Sequence, residues 1–288
     1  MEDLAMDGGL IRPRPVVRLA RGVPASDGAG VKLNRVIGTP LLGEVDPFLM
    51  LDEFRSDDAA DYIAGFPDHP HRGFETVTYM LAGRMRHGDN KGHTGRLDAG
   101  SVQWMTAGRG IVHSEMPEQE NGLMQGFQLW VNLPARDKMI APRYQEIPPA
   151  DIPLAALPGG VTAKVIAGTV GATRGPATGI ATEPTLLDLA LPAGAQAAVP
   201  LPSGHNVFLY AFEGEAAVGE DGTRLPRGSI AVLGEGDHVA LAAPAAATRV
   251  LLAAARPLGE PVARYGPFVM NTADEVRQAI VDFQSGRF

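Results

Sequence analysis

Two pairs of metal-binding side chains at strand spacing constrain the fold of this chain more than any other feature. His69 and His71 are two residues apart in FPDHPHRGFETVTYMLAG, and His113 and Glu115 are two apart in DAGSVQWMTAGRGIVHSE. Alternate side chains of an extended strand leave the same face, so each pair points to one side of its strand. Two such strands that meet inside a barrel would direct four ligands at one point.

The chemistry of these four side chains indicates the class of metal. Three neutral imidazoles and one carboxylate suit iron, nickel, copper or zinc, because calcium and magnesium prefer shells made only of oxygen. A single His-x-His on a surface is usually accidental. Here, however, Gly83, Gly100 and Gly108 divide the sequence into strand, turn and strand. We therefore predict one metal site formed by the two pairs.

Composition narrows the class of protein. The chain has 288 residues, 45% apolar and 20% charged, which is ordinary for a globular protein of two domains. A formal net charge of −8 argues against direct binding to nucleic acids or anionic membranes. No cysteine is present, which excludes disulfides and thiolate ligands. The start, MEDLAMDGGLIRPRP, lacks the apolar core of a signal peptide, so we predict cytoplasmic residence and no membrane contact.

Short apolar runs separated by glycine and proline, such as RVIGTPLL and PFLMLDEF, have the length of strands. Between about residues 135 and 160 the composition shifts to proline and alanine, which indicates a connection between domains. We predict a flexible N-terminus at 1–15, a metal-binding domain at 16–134, the connection at 135–160 and a second domain at 161–288.

The second half of the chain repeats the pattern of the first half without its ligands. RGSIAVLGEGDHVAL matches AGSVQWMTAGRGIVH, and NVFLYAFEGEAAVGEDG matches TVTYMLAGRMRHGDNKG. At the corresponding offsets the four ligands are replaced by Pro200, Pro202, Leu241 and Ala243. We expect one metal ion per chain, bound in the first domain.

Further predictions depend on the same strand pattern. If the parity of the first histidine pair continues through FETVTYMLAG, the side chains that line the same interior are Glu75, Val77, Tyr79 and Leu81. Pro70 cannot donate to a β-ladder, which places the pair at a strand start or a bulge.

His87 and His93 lie in a glycine-rich hairpin without a partner at ligand spacing, and we predict that they are solvated. In QGFQLWVNLP, the candidates for cavity walls are Phe127, Gln128 and Trp130.

One amphipathic helix is predicted at the end of the second domain. Thr272 followed by Glu275 is a capping box. Val276, Ala279 and Phe283 recur at helical spacing, which gives the helix an apolar face for packing against a barrel.

The chain resembles the pirins of the cupin superfamily from about Val17 to its last residue. The segments that carry the resemblance are, in order, HPHRGFETVTYMLAG, AGRGIVHSE, LPARDKMIAPRYQEI and GPFVMN, with the ending GRF. The resemblance implies an all-β bicupin: two antiparallel jelly-roll (cupin) barrels face to face, with a short C-terminal helix and metal only in the N-terminal barrel. It implies the same four ligands and leaves Glu75 beside the site as a residue that does not bind the metal. It favours Fe(II), with zinc, nickel, copper or manganese as alternatives.

The resemblance implies two functions of different classes. In the first, the protein is a dioxygenase of the quercetin 2,3-dioxygenase type that opens the ring of flavonol-like substrates with O2. Glu115 would take the proton of the substrate hydroxyl, and the apolar walls would be Phe66, Trp104, Met105 and Phe127. In the second, the protein is a redox-sensing regulator that contacts partner proteins near Asp57, Asp58 and Asp61. Both functions use the same four ligands, so the sequence leaves the choice open. In both cases we predict a monomer.

Overall fold

The computed structural model describes residues 12–288, in which β-strands predominate and one α-helix lies at the C-terminus. The first twelve strands are β1 Val16–Arg21, β2 Val23–Asp27, β3 Val31–Ile37, β4 Phe48–Ser56, β5 Phe66–His71, β6 Phe74–Ala82, β7 Met85–Asp89, β8 Thr94–Leu97, β9 Val102–Thr106, β10 Ile111–Pro117, β11 Met124–Asn132 and β12 Arg143–Ile147.

The remaining elements are β13 Leu154–Ala156, β14 Thr162–Ala167, β15 Thr169–Val170, β16 Thr173–Arg174, β17 Thr185–Leu191, β18 Gln196–Pro200, β19 Asn206–Glu213, β20 Glu215–Val218, β21 Thr223–Pro226, β22 Ser229–Leu233, β23 His238–Ala242, β24 Thr248–Ala255, β25 Ala263–Tyr265, β26 Phe268–Met270 and α1 Ala273–Gln284. Single turns of 3-10 helix occur at Ala59–Asp61, Ala135–Asp137, Pro149–Asp151 and Pro158–Gly160. Within residues 12–288, no helix is long and apolar enough to cross a membrane.

The chain divides into two compact cupin-type units. The N-terminal unit contains residues 22–152, 179–182 and 258–288, and the C-terminal unit contains residues 12–21, 153–178 and 183–257. The N-terminal unit has a seven-stranded sheet in the order β12-β9-β6-β11-β4-β3-β2 and a four-stranded sheet in the order β5-β10-β7-β8. The C-terminal unit repeats this plan with β1-β22-β19-β24-β17-β14-β13 and β18-β23-β20-β21.

The compact units depart from the boundaries expected from the sequence. β1 pairs with β22 in the C-terminal unit, and β12, expected in the connection, pairs with β9 in the N-terminal unit. Residues 258–288 with α1, expected to end the second domain, belong to the N-terminal unit. Each of these segments joins a unit through hydrogen bonds or packing to residues far away in the chain, which local composition does not encode.

The predicted flexible N-terminus lies mostly outside the described residues, and it is wrong for residues 13 and 14. Pro13 forms an isolated bridge with His238, and Arg14 is 2% exposed. The Arg14 guanidinium donates to the carbonyl oxygens of His205 and Gly234, each at 2.9 Å. Residues 13 and 14 are therefore anchored in the C-terminal unit.

The interior of the C-terminal unit is apolar. Valine, leucine and alanine from both of its sheets form one large core cluster, which includes Leu241 and Ala243, the residues that the sequence repeat aligns with His113 and Glu115. β18 and β23 are antiparallel neighbours, as β5 and β10 are, but Leu241 lies opposite Ala197 and Pro200 lies opposite His238. The ladder therefore differs from the predicted alignment of Pro200 and Pro202 with the histidine pair, because strand pairing and not the offset in sequence sets which residues are opposed.

The C-terminal helix begins as expected. The Thr272 side chain accepts from the Glu275 backbone N–H at 3.2 Å, and the Glu275 carboxylate accepts from the Thr272 backbone N–H at 2.9 Å. This capping box satisfies two N–H groups that the first turn would otherwise leave without partners. Val276 and Ala279 are the buried residues of the apolar face.

Candidate metal centre

Pairing of β5 with β10 brings the three histidines together. His113 lies directly opposite His69 in the ladder, and Ile111 lies opposite His71. Directly opposed residues of an antiparallel pair share a face, so His69 and His113 are neighbours and His71 follows on the same side. One ligand nitrogen from each of the three residues lies within 4.8 Å of the other two.

Pro70 lies within β5, between the two histidines, and not at its start. The alternative prediction of a bulge finds support, because the register of the β5–β10 ladder shifts between Phe66 and His69, just before the pair. β5 is the edge strand of the four-stranded sheet, where a residue without an N–H is tolerated because one side of the strand has no partner. An edge position, which the sequence pattern did not suggest, therefore explains how the proline fits between two candidate ligands.

The hydrogen bonding of the histidines fits a bound metal ion. His69 Nδ1 lies 2.8 Å from the Pro67 carbonyl oxygen, so this nitrogen carries the hydrogen and Nε2 is left with its lone pair. Within residues 12–288, neither ring nitrogen of His71 or of His113 has a hydrogen-bond partner, although all four atoms are buried. Burial lowers the pKa of both imidazoles well below the ordinary histidine value, which favours the neutral form that binds metals.

Glu115 lies beside this triad with both carboxylate oxygens engaged. Its Oε1 is 2.7 Å from Thr78 Oγ1, and its Oε2 accepts from Gln128 Nε2 at 2.9 Å. Thr78 and Gln128 are directly opposed on β6 and β11 of the facing sheet. Glu115 is 1% exposed, so these contacts replace the water that would otherwise solvate the carboxylate.

A cavity of about 590 Å³ opens onto two of the three histidines: its lining includes His69, His71 and Glu115 but not His113. This volume is within the usual range for small-molecule sites. The apolar walls come mainly from Leu33, Met50, Phe54, Phe66 and Trp130. Of the residues predicted as walls, Phe66, Gln128 and Trp130 line the cavity, whereas Trp104, Met105 and Phe127 do not.

The predicted parity of β6 is wrong. Thr78 contacts Glu115, and the Phe74 ring packs 5.0 Å from the His71 ring, so the even-numbered residues face the site. Glu75 therefore points to the other side of the sheet, where its Oε1 accepts from Thr106 Oγ1 at 2.6 Å and burial raises its pKa. The cause is Gly73, whose φ of +89° breaks the extended chain between β5 and β6 and resets the alternation.

The predicted solvation holds for His93 and fails for His87. The His93 side chain is 65% exposed and contacts Asp89. His87 is buried directly opposite Glu115 in the ladder, with Nε2 2.6 Å from the half-exposed carboxylate of Glu146. A Cβ at Gly95 would collide with both partners of this pair, so the glycine makes room for them. In β7, Met85, His87 and Asp89 are alternate residues and share one face. The sequence could therefore have indicated that His87 points inward with Met85.

The C-terminal segment supplies residues that local sequence could not assign to the site. Arg264, Gly266 and Pro267 line the cavity, and the Arg264 guanidinium lies 4.7 Å from the centre of the Trp130 ring. Arg72, next to His71, donates to Asp282 of α1 at 2.7 Å and to the Arg109 carbonyl oxygen at 2.6 Å. The strand that carries His71 is thus tied to the end of the chain.

Comparison with known proteins is consistent with this geometry. Residues 30–131 match the family model described as Pirin, and residues 186–288 match the Pirin C-terminal cupin domain. The chain is 55% identical to a pirin-like protein of Caulobacter vibrioides over 96% of this chain and 99% of that protein. It is 44% identical to pirin of Homo sapiens over 91% of this chain and 89% of the human protein. A quercetin 2,3-dioxygenase of Acinetobacter baumannii superposes with a TM-score of 0.88 at 35% identity, covering 96% of this chain and 98% of that one.

Proposed function

Because this chain belongs to the pirin family, we propose that it is a metal-dependent dioxygenase that cleaves flavonol-like substrates with O2. The observation that carries the proposal is the convergence of three histidine nitrogens, two of which belong to residues that line a cavity with aromatic walls. The similarity in structure to a quercetin 2,3-dioxygenase supports the reaction class. We propose His69, His71, His113 and Glu115 as the ligands and Fe(II) as the native ion, with zinc, nickel, copper or manganese as substitutes.

The chemistry that a bound iron ion supplies is polarisation of substrate oxygens and exchange of electrons with O2. The protein groups orient and enclose the substrate. Phe54, Phe66 and Trp130 give the cavity apolar, aromatic walls suited to an aromatic molecule, and His69 and His71 line the same cavity. In this arrangement Glu115 is the candidate base for the hydroxyl proton of the substrate.

The position of Glu115 supports its role as a proton acceptor. Its carboxylate is held by Thr78 Oγ1 at 2.7 Å and by Gln128 Nε2 at 2.9 Å. Glu115 lines the same cavity as His69 and His71, so a substrate hydroxyl in that cavity lies within its reach.

The test is turnover of iron-loaded Glu115→Gln with a flavonol under air, measured as O2 consumption per bound iron. The amide keeps the shape of the side chain and cannot accept the proton. We therefore expect the rate per iron to fall by about 10²- to 10⁴-fold, the range for a positioned base.

Glu75→Gln is the matched control, because it makes the same change in a buried carboxyl group on the opposite face of β6. It should retain the wild-type rate per iron. Absence of oxygen-dependent flavonol consumption by the wild type would refute the proposed activity, and a full rate in Glu115→Gln would refute the base role.

A second function is favoured by one observation, the ion pair between Arg72 and Asp282. It links the residue after His71 to α1, so a change in the oxidation state of a bound iron could alter the helix and a partner contact. Under this alternative, wild-type protein shows no turnover, and hydrogen exchange in α1 differs between the ferrous and ferric forms. Equal exchange in the two forms would exclude it.

A further inference from the structure

A row of polar side chains crosses the interior of the seven-stranded sheet in the N-terminal unit. Its members are opposed pair by pair in adjacent strands from β12 to β3. In order across the sheet they are Glu146, Gln103, Thr78, Gln128, Asp52 and Arg35. Residues directly opposed in an antiparallel ladder share one face, so the row forms a continuous band.

This row is buried at its centre. Gln103, Thr78 and Asp52 are each no more than 2% exposed. Asp52 is held by Arg35 through two hydrogen bonds, from Nε at 2.9 Å and from Nη2 at 2.8 Å. The row is not a complete network, since Gln103 Nε2 has no hydrogen-bond partner among the described residues. At its centre, Thr78 Oγ1 lies 2.8 Å from Gln128 Oε1, so these two side chains contact each other.

Two members of the row, Thr78 and Gln128, contact a proposed ligand, and that ligand is Glu115. Among the hydrogen bonds of residues 12–288, no other member of the row contacts a proposed ligand. Thr78 contacts Glu115 Oε1 from β6, and Gln128 contacts Glu115 Oε2 from β11. Two contacts, one to each oxygen, determine both the position and the plane of the carboxylate. A glutamate with three rotatable side-chain bonds would otherwise have several orientations beside the histidines.

We propose that Thr78 and Gln128 are positioning residues that fix the Glu115 carboxylate relative to the three histidines. The inference rests on the proposed function in one respect, the assignment of Glu115 to the metal centre. Neither residue is expected to bind the metal, but loss of either contact should change how Glu115 meets a bound ion. Partners of this kind typically affect metal affinity or activity by about 10- to 100-fold.

The primary experiment uses Co²⁺ as the probe, because its visible absorption spectrum reports ligand number and geometry without turnover. Full-length Thr78→Val and Gln128→Met are titrated with Co²⁺ beside the wild type. We expect each variant to bind about one equivalent through the histidines, with an altered spectrum and an affinity lower by about 10- to 100-fold.

Two controls separate positioning from packing. Thr78→Ser keeps the hydroxyl and should restore the wild-type spectrum. Thr76→Val makes the same substitution two residues away, on the same strand and face, where the threonine is also buried, and it should leave the spectrum unchanged. Gln128→Met decides the question if Thr78→Val does not fold.

A wild-type cobalt spectrum in both Thr78→Val and Gln128→Met, or equal changes in Thr76→Val, would overturn the proposal. Flavonol kinetics give a second readout: kcat should fall by about 10- to 100-fold in the two variants, with KM nearly unchanged. If the wild type turns over no flavonol, the proposed function fails, whereas the cobalt result still decides whether these residues position Glu115.

Discussion

Among the three histidines, His113 is the most deeply buried. Its side chain is fully buried, it lies opposite His69 in the ladder, and its ring is 4.5 Å from the His69 ring and 5.1 Å from the His71 ring. It is also on the same strand as Glu115. Removing its imidazole leaves two histidines on one edge strand and should disable the centre.

We expect His113→Ala to lose most of its bound metal while remaining folded, because the core of the unit does not depend on the ion. Elemental analysis of the purified variant, with circular dichroism for the fold, checks this. His93→Ala is the control, since that side chain is exposed and lies outside the cavity. Unchanged metal content in His113→Ala would remove this histidine from the centre.

Gly95 shows how one missing side chain shapes the unit. A Cβ at this position would collide with His87 Nε2 and Glu146 Oε1, which are 2.6 Å apart. We expect Gly95→Ala to lower the free energy of unfolding by about 1–3 kcal/mol, the usual cost of overpacking, because the His87 side chain is fully buried and has no room to move away. Chemical denaturation measures this difference.

The control for Gly95→Ala is Gly88→Ala on the neighbouring strand. There the nearest atom is 3.7 Å from the added Cβ, an ordinary van der Waals distance, and the backbone has no positive φ. This variant should keep its stability within about 1 kcal/mol of the wild type. If Gly95→Ala is as stable as Gly88→Ala, small movements of His87 and Glu146 relieve the collision, and the prediction is wrong.

At the scale of elements, α1 is anchored to the loop that follows β5. The Asp282 carboxylate accepts from Arg72 at 2.7 Å and from Arg287 and Gln278. The Arg72 guanidinium, with the other two donors, holds the pKa of Asp282 well below the ordinary aspartate value. Lys138 links the same loop to β26, the strand before α1, by donating to the carbonyl oxygens of Gly73 and Val269 at 2.8 and 3.0 Å.

A depressed carboxyl pKa means that the unfolded chain takes up the proton more readily than the folded chain. The contribution of Asp282 to stability is therefore complete above the unfolded value of about 4 and is lost as the pH falls below it. We expect Asp282→Asn to cost about 1–3 kcal/mol near pH 7 and progressively less in acid. Denaturation at several pH values gives the difference from the wild type.

Asp98→Asn serves as the reference for this experiment, because the Asp98 side chain is 57% exposed in a surface pair with Arg96. Exposed pairs typically contribute about 0–1 kcal/mol, so its effect should be small. A difference between Asp282→Asn and wild type that stays constant from pH 7 to pH 3 would contradict the proposed contribution of the ionised carboxylate.

For the whole molecule, the two units share a plan and differ in their interiors. Among residues 12–288, the histidines of the N-terminal unit form the single metal-capable cluster, whereas the C-terminal unit is filled with valine, leucine and alanine. We expect one tightly bound metal ion per wild-type chain and nearly none in His113→Ala, measured by elemental analysis against protein concentration. A second equivalent that persists in His113→Ala would place a site elsewhere.

The sequence by itself determined the strand character of the chain and the three-histidine cluster, and its resemblance to the pirins implied the two-barrel fold. The cluster depends on local periodicity: alternate residues of one strand share a face whatever the strand pairs with. The capping box and the apolar face of α1 are local in the same sense, since all of their partners lie within a few residues.

The tertiary structure alone decided which face of β6 meets the site, because the turn at Gly73 interrupts the alternation and the direction after it depends on pairing with β11 and β9. It also decided that residues 258–288 belong to the N-terminal unit and supply Arg264 and Pro267 to the cavity. The physical reason is common to both: these contacts join residues many positions apart, and the energy that selects them comes from burial and sheet pairing, which local sequence spacing does not contain.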